Sequence, residues 1–289
     1  MRTLQLLSLF LCSALLLFSG RALADRFADV QIEATELAPG LYMLIGAGGN
    51  MAALTGDDGI LLIDAQFAEM AGKIEAKLDE LAQGQRLQVL VNTHFHGDHV
   101  GGNAKLAADG RIIAHDNVRK RLRADSNFPA EGLPNLTFTD QLSLHMNGQT
   151  ILLTAMQPSH TDGDSIVWFK AANVVHMGDL MFEGRFPFVD TNSGGNLQAY
   201  MDVTRHVIAN IDASTQVIPG HGALTNRAGL ERELHMMEAT LAQVQQYKSE
   251  GLTLESMITR GLGEQWRGWH WSFITEERWI RTLYQALAD

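Results

Sequence analysis

The sequence predicts an α/β fold in which two β-sheets pack face to face and helices cover their outer faces. Short apolar runs with strand character occur in two groups along the chain, and helical segments follow within each group. With 46% hydrophobic residues the composition is that of an ordinary globular protein. No linker or low-complexity tract separates the groups, so residues 25–289 are expected to form one domain.

In the first half, apolar runs predict strands, and Gly48-Gly49 and Asp57-Asp58-Gly59 mark the turns between the first three. Apolar residues at helical spacing predict the helices, the first of which ends at Gly84. The predicted strands are Leu41–Ile45, Met51–Thr55, Ile60–Ile63, Leu87–Val91 and Arg111–His115. The predicted helices are Met70–Ala82, Asn103–Ala108 and Asn117–Ala124.

The second half repeats this pattern of strands followed by helices. The predicted strands are Ile151–Met156, Ile166–Phe169, Val174–Met177 and Gln216–Ile218. The predicted helices are Leu197–Asn210, Asn226–Ser249 and Thr275–Ala288. Each half thus supplies material for one sheet and its covering helices.

Residues 1–24 have the features of a signal peptide. Arg2 provides the positive start, Leu4 to Phe18 is an apolar run too short to span a membrane, and Ala22-Leu23-Ala24 is a cleavage site. The mature protein is therefore expected to be periplasmic or secreted. Cleavage would also remove Cys12, the only cysteine, so neither a thiolate ligand nor a disulfide is expected.

The net charge of −11 argues against nucleic acid or an anionic membrane as a partner, because both repel an acidic protein. We therefore expect a small-molecule substrate and no membrane attachment after cleavage. The sequence does not predict the oligomeric state.

The six residues His94-Phe95-His96-Gly97-Asp98-His99 contain three imidazoles and one carboxylate. Ions such as zinc prefer imidazole nitrogen, with carboxylate oxygen as a supplement. The stretch follows the predicted strand Leu87–Val91, so these side chains are expected on a loop held by a rigid scaffold. The pattern predicts a metal site.

Three further candidate ligands, His160, Asp179 and His221, each follow a predicted strand. A single histidine at a strand end is more often structural than a ligand, so none of these positions is informative alone. Together with the six-residue motif they form a specific set, since ligands from several strand ends can meet at one edge of a sheet.

This set of motifs resembles the metallo-β-lactamase fold superfamily, and the resemblance covers Leu37 to Leu287. It implies an αββα sandwich with the site at one edge of the two sheets. It also implies a first metal site, a second metal site, a carboxylate that bridges both ions, and a supporting acid that is not a usual ligand. The first metal site corresponds to His94, His96 and His160, and the second to Asp98, His99 and His221. Asp179 corresponds to the bridging carboxylate and Asp64 to the supporting acid.

The resemblance implies a hydrolase with two zinc ions per chain, which share a hydroxide that Asp98 orients. Metal binding lowers the pKa of water towards about 7, so an ester, thioester, lactone or amide could be attacked at neutral pH. Iron or manganese stays open, because imidazole and carboxylate ligands accept several ions.

Among the branches of this superfamily, the chain looks most similar to periplasmic, glyoxalase II-like zinc hydrolases associated with quinoprotein and sulfur-oxidation systems. The subclass of β-lactamases with cysteine in place of Asp179 is excluded, since no mature cysteine exists. Three alternatives stay open: a true β-lactamase, an iron-dependent redox enzyme on the same fold, and a non-enzymatic metal-dependent accessory protein.

The segment Phe182 to Asn196 is predicted to shape the substrate pocket. Within it Arg185 is expected to meet a substrate carboxylate, Phe186 to join an apolar wall, and Asn196 to contact substrate; the alternative is that they only pack the loop. Asp164 is expected to support a ligand histidine, with a capping role as the alternative. His115, His176, His206 and His235 are expected to be structural or solvent-facing. The C-terminal tryptophans are expected to dock the last helix, with the rim of a pocket as the alternative.

Overall fold

The computed structural model describes residues 26–107 and 110–288. The predicted signal peptide, its cleavage site and Cys12 lie outside the described residues. Within the described ranges, no helix combines the length and the apolar character that crossing a bilayer requires.

The first sheet has seven strands arranged in sequence order. Strands β1 to β4 are antiparallel, whereas β4 to β7 are parallel, so the carboxyl ends of β4 to β7 lie at one edge. The strands are β1 (Glu33–Ala38), β2 (Leu41–Ile45), β3 (Met51–Leu54), β4 (Ile60–Ile63), β5 (Leu87–Val91), β6 (Arg111–His115) and β7 (Leu136–Phe138).

The second sheet has six strands in the order β13-β12-β11-β10-β9-β8. β11 and β12 are parallel, and the other neighbours are antiparallel. The strands are β8 (Gln141–Met146), β9 (Gln149–Ala155), β10 (Ser165–Phe169), β11 (Val174–His176), β12 (Gln216–Ile218) and β13 (Thr225–Asn226).

Helices connect the strands and cover both sheets. They are α1 (Ala71–Ala82), α2 (Gly97–Val100), α3 (Asn103–Leu106), α4 (Asp116–Ala124), α5 (Leu197–Asn210), α6 (Arg227–Ser249), α7 (Leu254–Arg260) and α8 (Glu276–Ala286). Short 3-10 turns occupy Ala68–Met70, Ala130–Gly132, Gly178–Leu180, Thr191–Ser193 and Glu264–Trp269.

Successive side chains of a central strand point to opposite faces of the sheet, so its apolar residues belong to two separate cores. In β4, Leu61 and Ile63 face the second sheet, whereas Ile60 and Leu62 pack in the core that contains α1. On the outer face of the second sheet, residues of β10 to β12 pack with α5, α6 and α8. The layers are therefore helix, sheet, sheet, helix, and the predicted α/β sandwich is confirmed.

Four strands and two helices were missing from the sequence prediction: β1, β7, β8, β13, α2 and α7. Most of β1 is exposed, so it carries no apolar run that could reveal it. In β8, however, Leu142, Leu144 and Met146 alternate with exposed polar residues and pack against the core between the sheets. That period-two pattern was a usable signal for a half-buried strand.

Replacing Trp279 by Ala should strongly destabilise the protein. The side chain is fully buried, stacks on Phe186 with a ring-centroid separation of 5.6 Å, and donates from Nε1 to Thr240 Oγ1 at 3.0 Å. We expect the free energy of unfolding to fall by about 3–5 kcal/mol in urea denaturation. Leu136→Ala is the control: this side chain is 45% exposed, and we expect a change within about 0.5 kcal/mol. Equal effects of the two variants would contradict the assignment of α8 to the core.

Candidate metal centre

The seven predicted metal-binding residues meet at one edge of the sandwich, on loops that leave strands of both sheets. His94 and His96 follow β5, Asp98 and His99 lie on α2, His160 lies between β9 and β10, Asp179 follows β11 and His221 follows β12. Hydrogen bonds join the loops of the two sheets, from Asn50 N to Gly220 O at 2.7 Å and from Ser165 N to Thr93 O at 2.8 Å. The site thus depends on both halves of the chain.

A first cluster consists of three histidines and one carboxylate, His94, His96, His160 and Asp179. His96 Nδ1 lies 3.1 Å from His94 Nε2 and 2.9 Å from His160 Nε2. Asp179 Oδ2 lies 3.7 Å from His94 Nε2 and 3.5 Å from His160 Nε2. These four atoms surround one point.

A second cluster consists of Asp98, His99 and His221. His221 Nε2 lies 3.3 Å from Asp98 Oδ2, and His99 Nε2 lies 3.9 Å from the same oxygen. The other oxygen of Asp179, Oδ1, lies 3.0 Å from His99 Nε2 and 3.4 Å from His221 Nε2. Asp179 therefore presents one carboxylate oxygen to each cluster.

The two clusters fit divalent metal ions. His99 Nε2 and Asp179 Oδ1 are buried and neither has a hydrogen-bond partner with acceptable geometry among the described residues. Buried polar atoms are costly to leave unsatisfied, and a cation between them would satisfy both. Donor atoms around a tetrahedral zinc ion are roughly 3.3 Å apart, which agrees with the separations in the first cluster.

Two of the first-cluster rings are held neutral, the form that binds metals. Burial lowers the pKa of His94 well below its usual value, and it lowers the pKa of His160 to about 4. For Asp179, burial raises the pKa, but the surrounding histidines, His99 first, outweigh it and hold the pKa well below the usual range. The carboxylate is therefore ionised.

The second cluster favours positive charge. Burial lowers the pKa of His99 and His221, but the nearby carboxylates, Asp179 first, outweigh burial in both cases. As a result the pKa of His99 lies well above its usual value and that of His221 rises to about 9. The same field that holds protons on these rings favours a metal ion in their place.

Asp64 lies behind the second cluster, as the resemblance implied. Its Oδ2 accepts from His99 Nδ1 at 2.7 Å, which directs His99 Nε2 toward the cluster. The same carboxylate accepts from the backbone and the hydroxyl of Thr93, each at 2.8 Å. Asp64 adopts a φ of 63°, a left-handed conformation that non-glycine residues seldom occupy outside constrained sites.

Asp190 supports the first cluster, and sequence reasoning missed it. Its Oδ2 lies 3.1 Å from His96 Nε2, which leaves His96 Nδ1 to face the cluster. Burial raises the pKa of Asp190, but the hydrogen bonds with His96 and Ser193 and the nearby histidine charges together outweigh it, and the pKa falls to about 2. No local motif marks this residue, since it lies 94 positions after His96.

Asp164 supports His160 through the backbone of its loop. The carboxylate accepts from Thr161 N at 2.8 Å and from the Thr161 hydroxyl, whereas the ring of His160 is fixed by its Nδ1, 2.7 Å from Phe188 O. Burial raises the pKa of Asp164 to about 7. Asp164 thus supports the candidate ligand His160 only indirectly, through the backbone of the loop, and its contacts are those of the capping alternative.

Two glycines make the close packing around the clusters possible. A Cβ on Gly49 would lie 2.0 Å from the ring of His99, and a Cβ on Gly220 would lie 2.1 Å from Asp179 Oδ1. Either contact would displace a candidate ligand. This explains the Pro-Gly-His-Gly sequence that leads into His221.

A cleft of about 620 Å³ opens over the clusters. Arg185, Phe182 and Phe188 of the predicted pocket segment line it, together with candidate ligands of both clusters. The segment after α7 contributes Trp271 and Phe273. Trp271 therefore has the alternative role expected for these tryptophans, at the rim of a pocket, whereas the fully buried Trp279 docks the last helix.

Two predicted substrate residues do not reach this cleft. Phe186 is fully buried and stacks on Trp279 in the core outside the second sheet, so its prediction is wrong. Asn196 is the N-cap of α5, where its side chain accepts from Ala199 N at 2.9 Å, and its prediction is also wrong. The two contacts instead anchor the pocket segment, at Phe186 to the core and at Asn196 to the start of α5.

Two histidines outside the clusters have the structural roles expected of them. His115 caps α4 by accepting from Asn117 N at 3.2 Å. His176 is buried, with Nε2 3.1 Å from Asn50 O, and it accepts from Gly178 N with Nδ1. It therefore helps to join the two sheets beneath the site.

The sequence profile described as the metallo-beta-lactamase superfamily matches residues 45–221, a range that contains all seven candidate ligands. The chain belongs to this superfamily. A hydroxyacylglutathione hydrolase from Nitrosococcus oceani is 28% identical over 157 residues, covering 52% of this chain and 55% of that protein. A metallo-beta-lactamase type 2 from Bacteroides fragilis is 23% identical over 137 residues, covering 47% of this chain and 54% of that protein.

The chain spans about half the length of these two curated relatives. A solved metallo-beta-lactamase structure from Pontibacter korlensis superposes with a TM-score of 0.60 at 16% identity, covering 72% of this chain and 99% of that one. This likeness shows the fold. The two relatives bear the names of hydrolases, in agreement with the hydrolase class that the sequence predicts.

Replacing Asp190 by Ala should weaken metal binding at the first cluster, because His96 loses the carboxylate that fixes its ring. We expect an affinity about 10- to 100-fold lower for the ion bound there, measured by competition with a chromophoric zinc chelator. Asp202→Ala, which removes an exposed carboxylate on α5, is the matched control. It should leave the metal affinity of both clusters unchanged. Unchanged zinc affinity in the Asp190 variant would contradict a supporting role for this residue.

Proposed function

We propose that this protein is a binuclear zinc-dependent hydrolase of an ester, thioester, lactone or amide-type bond in a small molecule. The observation that supports two ions is the placement of Asp179, whose Oδ2 faces the first cluster and whose Oδ1 lies 3.0 Å from His99 in the second. A carboxylate shared in this way suits a pair of ions about 3.5–4 Å apart, the spacing of two-metal hydrolytic sites.

In this proposal, His94, His96 and His160 would hold one ion, Asp98, His99 and His221 would hold the other, and both would share Asp179. When bound, the ions supply Lewis acidity that activates water near neutral pH and polarises the scissile bond. Asp98 is the second-cluster carboxylate that lines the cleft, with its side chain 24% exposed. It is therefore placed to orient the attacking water and to accept a proton from it.

The proposal also includes two expectations from the sequence, one on where the protein is located and one on its partners. The apolar segment and cleavage site in residues 1–24 support export to the periplasm or beyond. The acidic composition supports a small-molecule substrate and no nucleic acid partner. The imidazole-rich donor set favours zinc, and it also accepts iron or manganese.

Metal content measured by mass spectrometry on the untagged, exported protein is the first test. We expect about two zinc ions per chain, because each cluster offers a nearly complete set of donors. One or two iron ions instead would contradict the zinc proposal and favour redox chemistry on this fold. In that case oxygen uptake, rather than ester cleavage, would be the activity to measure.

Replacing Asp98 by Ala should abolish hydrolysis without unfolding the protein. On a panel of ester, thioester, lactone and β-lactam substrates, we expect kcat/KM for any accepted substrate to fall at least ~100-fold, since both water orientation and proton transfer are lost. The melting temperature of the zinc-loaded variant reports whether the fold is intact. Asp57→Ala removes an exposed acid elsewhere and should retain full activity. Near-normal turnover in the Asp98 variant would contradict the mechanism, and zinc binding without turnover by the wild-type protein would favour an accessory role.

A further inference from the structure

Aromatic rings flank both metal-binding clusters on the side that faces the cleft. Phe188 stacks on His96 with ring centroids 5.6 Å apart, and Phe182 stacks on His221 with centroids 5.1 Å apart and an interplanar angle of 14°. These contacts leave the metal-facing ring nitrogens free while they cover the faces of the imidazoles. The surface beside the reacting bond is therefore apolar.

Two residues that follow α7 extend this apolar surface to the mouth of the cleft. Trp271 lies 5.9 Å from Phe182 and 5.5 Å from Phe273, measured between ring centroids. The orientation of Trp271 is fixed, because its Nε1 donates to Phe186 O at 2.9 Å. Phe273 is 46% exposed, which is unusual for a large apolar side chain and places it where an entering molecule would meet it.

Arg185 places an uncompensated positive charge beside this surface. Its guanidinium carbon lies 5.4 Å from the centroid of Trp271, and no carboxylate of the described residues lies within ion-pairing distance of it. The neighbouring acid, Glu183, is instead paired with Arg232 at 2.6 Å. The cleft thus keeps a half-buried guanidinium whose hydrogen-bonding capacity is unused.

A second arginine adds positive charge at the mouth. Arg278 lies 4.2 Å from the ring centroid of Phe273 and 4.8 Å from that of Phe188, and its Nη1 donates to Phe273 O at 3.0 Å. It, too, has no ion-pair partner in the part of the chain that the structure describes. In a chain with a net charge of −11, two such arginines on aromatic rings make the entrance locally cationic.

We propose that the substrate carries a carboxylate and an aryl or bulky apolar group, and that Arg185 binds the carboxylate while Phe182 and Trp271 contact the apolar group. This inference rests on the proposed hydrolase function and narrows its substrate class. Hydrolysis breaks the acyl–oxygen or acyl–sulfur bond; water supplies hydroxyl to the acyl group and a proton to the leaving group. Arginine suits this role, because its planar guanidinium binds a carboxylate through two parallel hydrogen bonds.

The test compares substrates that differ only in charge. In one pair, 4-acetoxyphenylacetate and its primary amide, the charge lies on the leaving group, and a methylene insulates it from the ester. In the other, phenyl hydrogen adipate and the corresponding phenyl adipamate, the charge lies on the acyl side. For zinc-loaded wild-type protein we expect kcat/KM to be about tenfold or more higher for the acid than for the amide in at least one pair, the size of a charge-assisted hydrogen bond.

Arg185→Gln and its control test whether Arg185 causes this preference, and Trp271→Leu tests the apolar contact. Arg185→Gln should abolish the preference for the acid, because kcat/KM for the acid falls by more than kcat/KM for the amide, whereas Arg281→Gln, which removes an exposed arginine on α8, should leave the preference unchanged. Trp271→Leu should lower kcat/KM for acid and amide alike. The proposal would be overturned if the wild-type protein had equal kcat/KM for acid and amide in both substrate pairs. It would also be overturned if a preference for the acid survived in Arg185→Gln.

Calorimetric binding of the product 4-hydroxyphenylacetate and of its amide separates this inference from the proposed function. If no ester in either pair is cleaved, the hydrolase proposal fails for these bonds, and binding still decides the role of Arg185. Tighter binding of the acid that is lost in Arg185→Gln supports the site. Equal affinity for acid and amide, or tighter binding of the acid in both proteins, contradicts it.

Discussion

The buried carboxylate of Asp179 is the constraint on which the site depends. Only 4% of this residue is exposed, so its charge has to be balanced by groups that the fold brings to it, and both carboxylate oxygens face histidines. His94 and His99 come from the first sheet, whereas His160 and His221 come from the second. The two sheets must therefore pack in one register for the charge to be balanced, and this requirement links the apolar core between the sheets to the chemistry at their edge.

The groups behind the clusters show how this register is maintained. Asp64 and Asp190 each fix one imidazole from the side away from the clusters, at 2.7 and 3.1 Å. Asp64 does so from a left-handed conformation, in which its carboxylate also accepts hydrogen bonds from Thr93. Because these contacts fix each ring from behind, the donor atoms are in place before any ion arrives, and less ordering entropy is lost on binding.

The sequence was sufficient to predict the parts of the site that depend on short-range patterns. The motif from His94 to His99 is contiguous, and the other ligands follow strands whose apolar runs are clear, so both the fold and the clustering of ligands were predictable. Asp190 was not predictable, because its partner His96 is distant in sequence and the loop between Phe182 and α5 has no regular period. For the same reason the direction of Phe186 could not be derived: a neighbouring phenylalanine, Phe188, faces the cleft while Phe186 enters the core.

The pKa values of the acids in and around the site depend on whether each carboxyl group faces backbone or histidines. Burial raises the pKa of Asp164 to about 7 and that of Glu233 well above its usual value, and both bond the backbone of loops that carry candidate ligands. Asp179 is also buried and Asp98 is partly buried, but histidines outweigh burial and hold the pKa values of both low. Negative charge is thus favoured on the carboxylates that face the clusters, whereas burial disfavours it on the supporting acid Glu233, which accepts from Phe182 N. Since bound cations would offset those ionised carboxylates, the charge that an incoming molecule meets is set by the cleft arginines rather than by the acidity of the whole chain.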